Sequence, residues 1–201
     1  MRFIPRDFEV LLFWPIIFVF GIGALATFAF PYVMSVIDSV KQVSDLDNIA
    51  ECGRDFYLYA DEHDGIFPTT NTTSTDLFNE VAKQGYIINP RTVSGSGTIP
   101  VVKGNIFSNT NVGWSCAQNL TTNDNHDYPL LWSRGSIPSI SGQNLIINCS
   151  SNYWGLRGKS FTAVFFINGS VSPLNLNKGN YYSTNKLIGS VTNVYTNYLN
   201  P

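Results

Sequence analysis

The segment "DEHD" (residues 61–64) is the densest group of ionisable residues in the chain that could do chemistry. Carboxylates and an imidazole at this density could bind a metal ion or transfer protons. The segment lacks the alternating oxygen ligands and the distant bidentate Glu of a calcium loop, and no nucleophile adjoins it. Gly65 follows directly, and Pro68 comes shortly after it, as at the end of a helix. We therefore predict a helix end here, not a metal or catalytic site.

Other residues with catalytic potential are too few or wrongly spaced. The chain has two histidines, His63 and His126, and neither lies in a recognisable nucleophile motif. Gly158-Lys159-Ser160 is similar to the end of a phosphate-binding loop, but Tyr153 stands where that loop needs a glycine. No cluster of cysteine and histidine has the spacing of a zinc site. We predict no enzymatic activity, no metal site and no cofactor.

The charge distribution excludes one class of partner. Charged residues make up 13% of the chain, and the formal net charge is −2. A nucleic-acid-binding surface would be basic, so we predict no nucleic-acid partner. All 14 acidic residues precede residue 128, and residues 128–201 carry only basic ones. This asymmetry is either an accident of a polar surface or a sign of contacts between copies or between the two halves of the chain. In the contact between copies, the acidic helix of one copy would face Arg157 and Lys159 of another.

An uncharged run of 28 residues extends from Val10 to Ile37. As a helix it would be about 42 Å long, more than the roughly 30 Å core of a bilayer and longer than the core of a signal peptide. Arg2 and Arg6 precede the run, which places the N-terminus in the cytoplasm and the rest of the chain outside. We predict that residues 1–37 form a hydrophobic membrane helix.

Residues 38–64 are expected to continue the same helix in amphipathic form. Apolar residues recur at spacings of three and four from Val36 to Tyr59, with one gap at Cys52 and Gly53. Acidic residues occupy the remaining positions, and we assign them to a solvated face. The simplest interpretation is one helix of about fifty residues that ends near residue 63.

The rest of the chain, residues 65–201, is expected to form a β-rich head outside the cytoplasm. Its first element is a short helix over residues 74–87. Ser74 or Thr75 would be the N-cap, because a hydroxyl can accept a hydrogen bond from a free N–H of the first turn. Gly85 would end the helix.

Apolar runs in the C-terminal half predict strands. Residues 128–132 and 144–149 have this pattern, and residues 187–199 alternate moderately, as in an edge strand. The clearest signal covers residues 161–174. There Asn168-Gly169 separates two apolar runs, which predicts a hairpin with a two-residue type I′ turn.

Three cysteines fit an oxidising exterior. Cys116 and Cys149 lie in the polar C-terminal part, whereas Cys52 lies in the helical run. We predict a disulfide between Cys116 and Cys149 and a free Cys52, although a sequence does not determine connectivity.

Four Asn-x-Ser/Thr sequons occur, about as many as chance predicts from the composition. A domain outside the cytoplasm would still allow glycan attachment. The candidate glycosylation sites are Asn71, Asn119 and Asn148. Asn168, in the expected tight hairpin, suits a glycan least.

This order of elements resembles the type IV pilin and type II secretion pseudopilin superfamily, and most of all the G-type pseudopilin-like proteins of planctomycetes and verrucomicrobia. The resemblance implies an α+β fold in which a long N-terminal helix, hydrophobic and then amphipathic, packs on a small antiparallel sheet. The segments that carry it are "CGRDFYLYADEHDGIFP" (52–68), "LFNEVAKQGYI" (77–87), "HDYPLLWSRG" (126–135) and "AVFFINGSV" (163–171).

The resemblance implies a structural function. Subunits would polymerise through their N-terminal helices into a cell-surface filament, with Glu9 neutralising the terminal amine of a neighbour. We predict local opening of the helix within residues 21–31, where proline and glycine weaken it. The usual Gly-Phe-Thr-Leu-Ile-Glu processing site is absent, so the chain is either an uncleaved variant or numbered from after a removed leader. The residues expected to serve assembly are Glu9, Pro15, Gly21, Gly23 and Pro31.

Two other functions remain open at this point. The protein could be a minor pseudopilin, or a singly membrane-anchored envelope protein whose head binds a ligand or polysaccharide and never polymerises. Trp114, Trp132 and Trp154 could line a carbohydrate surface, but such aromatic residues more often complete a core or pack between copies.

Overall fold

A computed structural model describes residues 6–70, 72–101, 106–141, 144–149, 161–175 and 198–201. Within these ranges the side chains of residues 6–19, 21, 24–26, 137–141, 144–149, 161 and 175 are outside the description.

The chain is α+β, with a long N-terminal helix and a four-stranded antiparallel sheet, as predicted. Contacts divide it into an N-terminal unit, Met1–Val40, and a C-terminal unit, Lys41–Pro201. The amphipathic part of the long helix therefore belongs to the same compact unit as the strands. The elements are α1 (Arg6–Asp61), α2 (Ser74–Lys83), a 3₁₀ helix (Pro90–Val93), β1 (Trp114–Cys116), β2 (Pro129–Ser133), β3 (Ser136–Ser141), β4 (Asn144–Cys149), β5 (Phe161–Phe166) and β6 (Val171–Asn175).

Helix α1 has no break at its prolines. It is helical throughout residues 21–31, so the predicted local opening there is wrong for the single chain. Pro31 removes one backbone donor, the one that would bond the carbonyl of Thr27. The hydroxyl of Thr27 also donates to the carbonyl of Gly23 at 2.7 Å, which adds a local contact one turn earlier.

The end of α1 confirms the interpretation of "DEHDG" as a helix end. The last helical residue is Asp61, and Asp64 and Gly65 both adopt positive φ, at 54° and 78°. The Gly65 N–H donates to the carbonyl of Ala60 at 2.9 Å, which closes the final turn as in a Schellman-type cap. A Cβ at Gly65 would also lie 2.7 Å from the hydroxyl of Thr122.

Helix α2 begins one residue earlier than the sequence suggested. Thr73 is its N-cap and accepts a hydrogen bond from the Asp76 N–H at 3.1 Å. The proposed caps, Ser74 and Thr75, are buried inside the first turn. Gly85, with φ of 89°, follows the helix end as predicted.

The main sheet has the order β1-β2-β5-β6, and all its pairs are antiparallel. Strands β3 and β4 form a separate two-stranded sheet in which Ser136 pairs with Cys149. The predicted edge strand over 187–199 lies outside the described residues except at its end. There Leu199 forms an isolated bridge with Cys116.

The β5–β6 hairpin exists, but its predicted turn type is wrong. Phe165 pairs with Val171, which leaves a loop longer than two residues. The Gly169 N–H donates to the carbonyl of Phe166 at 2.9 Å, and Gly169 has a φ of 79°, whereas Asn168 does not have positive φ. A type I′ turn needs positive φ at both central residues, so this loop is a type I turn followed by glycine.

The core of the C-terminal unit lies between α1 and the main sheet. Ile49, Cys52, Phe56 and Ala60 form the buried row of α1, at spacings of three and four. The gap in the apolar pattern at Gly53 also has a structural role. A Cβ at Gly53 would lie 2.3 Å from the ring of Phe165, so only glycine allows the sheet to approach the helix this closely.

Two tryptophans complete this core. Trp114 and Trp132 are fully buried on β1 and β2, which excludes them from a carbohydrate-binding surface. Their indole N–H groups donate to the carbonyls of Thr92 and Ser136, at 2.8 and 3.1 Å. Trp154 lies outside the described residues.

Candidate assembly surface and the polar seam of the long helix

The N-terminal unit exposes large apolar side chains along α1. Phe28 is 81% exposed and Val40 is 63% exposed. Asp38 is the only charged residue between residues 20 and 40, so this surface has almost no polar component. Monomeric proteins rarely leave contiguous apolar surface of this kind uncovered. The exposed set is Phe20, Ile22, Phe28, Phe30, Tyr32, Val33, Val36, Ile37 and Val40.

Among the residues that the structure describes, no helix is both long enough and apolar enough to cross a membrane. The predicted membrane segment starts at Val10, and the side chains of its first ten residues are outside the description.

The predicted assembly residues fall on α1, and few of them can be described further. The side chains of Glu9 and Pro15, and the surroundings of Gly21, are outside the description. Gly23 and Pro31 are exposed, and a Cβ at Gly23 would meet nothing within 4 Å. The space around Gly23 is therefore open in the single chain.

In the C-terminal unit, α1 carries a polar row that the sequence did not reveal. Asp45 and Asp55, which we had assigned to a solvated face, are both buried. The residues between them in this row are Asn48 and Cys52, so the spacing is three, four and three, which places all four side chains on one face. We call Asp45, Asn48, Cys52 and Asp55 the polar seam.

The polar seam holds residues 88–96 against α1. Asp45 accepts a hydrogen bond from the Ser96 N–H at 2.8 Å, and the amide of Asn48 donates to the carbonyl of Ser94 at 3.0 Å. The thiol of Cys52 donates to the carbonyl of Thr92 at 3.2 Å. The loop therefore runs antiparallel to the helix.

The fourth seam residue, Asp55, is only 6% exposed and accepts a hydrogen bond from the Ile88 N–H. Burial raises the pKa of Asp55 to about 6, and the nearby Glu51 carboxylate adds to this rise, while the Ile88 N–H and Arg54 oppose it. Burial also raises the pKa of Asp45. Both carboxylates thus satisfy backbone N–H groups at an electrostatic cost.

A groove of about 590 Å³ opens beside the polar seam. Its walls combine carboxylates with apolar side chains, and Leu58 and Ile88 are both exposed at it. The lining residues are Glu51, Arg54, Asp55, Tyr57, Leu58, Asp61, Ile88 and Asn89.

An aromatic cluster forms at the end of α1. The His63 ring stacks on Tyr59 with centroids 3.8 Å apart, and Tyr86 packs edge-on against both rings. The Tyr86 hydroxyl donates to the Glu62 carboxylate at 2.6 Å, and this hydrogen bond raises the pKa of Tyr86. His63 is thus a packing residue. Within the described part of the chain, no group of three or more His, Cys, Asp or Glu side chains could hold a metal ion.

The cysteines differ from the predicted pairing. Cys116 is a free thiol, fully buried in the core, so the Cys116–Cys149 disulfide is not formed in this structure. Cys116 lies on β1, against the Leu199 bridge, whereas Cys149 lies on β4 of the other sheet, with its side chain outside the description. Cys52 is free, as predicted. Burial raises the pKa of both described thiols, which keeps them protonated and unreactive.

The glycosylation and charge hypotheses are only partly covered by the structure. Asn119 is exposed in a turn with φ of 56°, and Asn71 and the side chain of Asn148 lie outside the description. Arg157 and Lys159 lie outside it as well. The guanidinium of Arg134 donates to the carbonyls of Asn109 and Val112, so this basic residue serves an internal role.

Comparison with protein-family models, with curated proteins and with solved structures finds no match to this chain.

Proposed function

We propose that this protein is a structural subunit of an extracellular filament of the type IV pilus or pseudopilus kind, which polymerises through residues 20–40 of α1. The observation that carries the proposal is the exposed apolar surface of those residues. It lies on a chain whose C-terminal unit has a hydrophobic core of its own.

Two further features support a structural role. Among the described residues of the C-terminal unit, Asp45 and Asn48 are polar side chains that fasten a loop to α1, which is a structural use. The buried thiols of this unit are protonated. The part of α1 within this unit is therefore a rigid support for the head, and the part before it is free to bind other copies.

Shearing of the cell surface tests the proposal. Filaments should appear by electron microscopy in the sheared fraction, and mass spectrometry should find this chain as a major component with a processed or methylated N-terminus. A chain with intact Met1 that stays entirely in the cell-envelope fraction would contradict the proposal.

The groove beside Asp55 favours a second candidate, an envelope protein that binds a small ligand and does not polymerise. Its lining joins carboxylates to exposed apolar side chains, a combination that suits an amphipathic cation. Binding of amine-bearing ligands or glycans from an array, lost on Asp61→Ala, together with a monomeric full-length chain, would support this candidate over the filament.

A further inference from the structure

The groove beside Asp55 is lined by a face of α1 and by the loop that follows α2. Ile88 lines the groove from the loop. On α1, four lining residues occur at spacings of four, three and three, which places them on one face of the helix: Glu51, Asp55, Leu58 and Asp61. The helix face thus supplies three carboxylates and one apolar side chain, and the loop supplies a second apolar side chain.

Asp55 distinguishes this groove from an acidic surface that is covered by water. It lines the groove although only 6% of the residue is exposed, and it accepts a hydrogen bond from the Ile88 N–H. A carboxylate has about four acceptor sites, so this bond leaves capacity for further donors. The ion pair found among the described residues joins Lys83 to Glu80, so Asp55 has no cationic partner there. Buried carboxylates are rarely left without such a partner, and a cationic ligand would supply it.

Arg54 also lines the groove but is not that partner. Its side chain is exposed, and its Nε donates to the carbonyl of Ala50 at 3.4 Å, on the preceding turn. Its charge lowers the pKa of Asp55 less than burial raises it. With three carboxylates ionised against one guanidinium, the lining is net negative. Charge complementarity therefore favours a cation over an anion in this groove.

The apolar part of the lining indicates that the ligand is more than a bare cation. Leu58 is 46% exposed and Ile88 is 76% exposed, and both line the groove. Two exposed aliphatic side chains beside a buried carboxylate suit a molecule with an apolar part and a charged head. The volume of about 590 Å³ lies within the range of sites for small molecules.

We propose that this groove binds a small organic cation, a primary ammonium or guanidinium group on an apolar stem, with the charged head at Asp55 and the stem against Leu58 and Ile88. The N–H groups of such a head donate charge-assisted hydrogen bonds to the carboxylate. A quaternary ammonium has no N–H donor and is recognised by a cage of aromatic rings, whereas Tyr57 is the one aromatic residue in the described lining. An uncharged glycan is excluded as well, because it leaves Asp55 without a counter-charge.

This inference deepens the second candidate function, on which it rests for the location of the site, but it does not require a chain that stays monomeric. Every lining residue belongs to the C-terminal unit, whereas the surface proposed for assembly belongs to the N-terminal unit. The binding site and the filament can therefore be right or wrong independently of each other.

Binding should depend on pH through Asp55. The ionisable groups of α1 near it are Glu51, Cys52, Arg54, Tyr57 and Asp61, and the facing loop contributes Ile88 and Asn89, which do not titrate. Burial raises the pKa of Asp55 to about 6, so this carboxylate is largely neutral at pH 5 and largely charged at pH 7. An alkylammonium stays charged over this range, and its affinity should rise about ten-fold between the two pH values.

An NMR titration of the full-length chain with butylammonium tests the proposal. The amide signal of Ile88, whose N–H bonds Asp55, should shift saturably at pH 7. Butanol has the same stem without the charge and should bind at least ten-fold more weakly, and so should butyrate. Equal binding of butylammonium and butanol, or no saturable shift with butylammonium, would overturn the proposal.

Variants of α1 assign the binding to the groove. Asp55→Asn keeps an oxygen that can accept from the Ile88 N–H but loses the charge, so butylammonium should bind at least ten-fold more weakly and without the rise in affinity between pH 5 and 7. Leu58→Ser removes an exposed apolar contact and should weaken binding about three-fold. Asp47→Asn removes an exposed charge outside the groove and should leave the affinity unchanged. Equal affinities of the three variants would place the binding elsewhere and sink the proposed site.

Equilibrium dialysis of the sedimenting and non-sedimenting fractions against butylammonium separates the site from the filament. Binding by sedimenting filaments supports the site and the filament together. Binding by a chain that is found only as a monomer supports the site and contradicts the filament. Filaments that form while neither fraction binds would overturn the site and leave the filament intact.

Discussion

Residues 20–40 and residues 41–61 are two stretches of the same helix that treat apolar side chains in opposite ways. The first exposes them, as at Phe28 and Val40, and the second buries them, as at Ile49 and Phe56. The second stretch also buries two carboxylates, Asp45 and Asp55, each bonded to a loop N–H. Both stretches are helical and contain many apolar residues, so neither property determines whether their side chains are buried. Burial depends on which other segments of the chain pack against the helix.

The largest test of this difference compares two phenylalanines. Phe56→Ala should lower the free energy of unfolding by about 3–5 kcal/mol, because it empties a fully buried site beside Phe78. Phe28→Ala should change it by less than about 0.5 kcal/mol, because that side chain is exposed. Urea unfolding followed by the fluorescence of the buried tryptophans measures both, and similar losses would remove the distinction between the two stretches.

Alanine substitution of one glycine in each stretch of α1 tests the same difference in burial. Gly53→Ala should destabilise the protein by about 1–3 kcal/mol, since the added methyl would overlap the buried ring of Phe165. Gly23→Ala should stabilise the helix by up to about 1 kcal/mol, because nothing surrounds that position and alanine has the higher helix propensity. Differential scanning calorimetry of both variants gives the sign, and stabilisation by Gly53→Ala would show that α1 does not approach the sheet so closely.

The buried carboxylates predict a pH dependence that the first stretch lacks. Because the pKa of Asp55 in the folded protein, about 6, lies above the ordinary value of 3.8, the folded state binds more protons between these pH values. The contribution of Asp55 to stability should therefore be largest below pH 4 and fall as pH rises through 6, by about 1 kcal/mol after allowance for solvent screening. Asp55→Asn should flatten this part of the unfolding profile.

A matched control for Asp55→Asn is Asp47→Asn, which removes an exposed charge from the same helix. Its profile should keep the slope of the unaltered protein between pH 4 and 6. An equal loss of slope in both variants would assign the effect to net charge and not to the burial of Asp55.

The smallest expected difference concerns hydrogen bonds of the helix. Asn48→Ala removes the amide that bonds Ser94 and should cost about 0.5–1 kcal/mol. Ser39→Ala removes a hydroxyl that bonds only the preceding turn, at Ser35, and should be neutral within about 0.5 kcal/mol. Equal effects in thermal melts would indicate that the polar seam does not fasten the loop.

Much of the local structure could be predicted because its signals are local. The helix end at Gly65, the end of α2 near Gly85 and the β5–β6 hairpin depend on residues adjacent in the chain. The errors in these local predictions are a shift of one residue at a helix start and a change of turn type. The N-cap is Thr73 and not Ser74 or Thr75, because those two residues are buried. In the turn after Phe166 only Gly169 has positive φ, whereas the Asn-Gly pair predicted positive φ at both residues.

The candidate sites depended on partners far away in the sequence. Asp45 and Asp55 looked like solvated charges, because nothing near them shows that residues 88–96 fold over the helix. Their spacing with Asn48 and Cys52 is the one signal that could have indicated the polar seam. The predicted disulfide of Cys116 was wrong for the same reason: its burial depends on distant segments. Only the arrangement of the strands in the sheet places its thiol in the core.

The amino-acid sequence by itself determined that a long helix precedes a short helix and several strands, the length of α1 to within a few residues at its end, and the uncharged stretch that the proposed assembly uses. These follow from periodicity and composition, which need no knowledge of long-range contacts. Only the tertiary structure decided which face of α1 is covered, that Gly53 is the point of closest approach to Phe165, and that two acidic side chains are buried. Burial and its electrostatic consequences depend on which distant segments surround a residue, and folding alone brings those segments together.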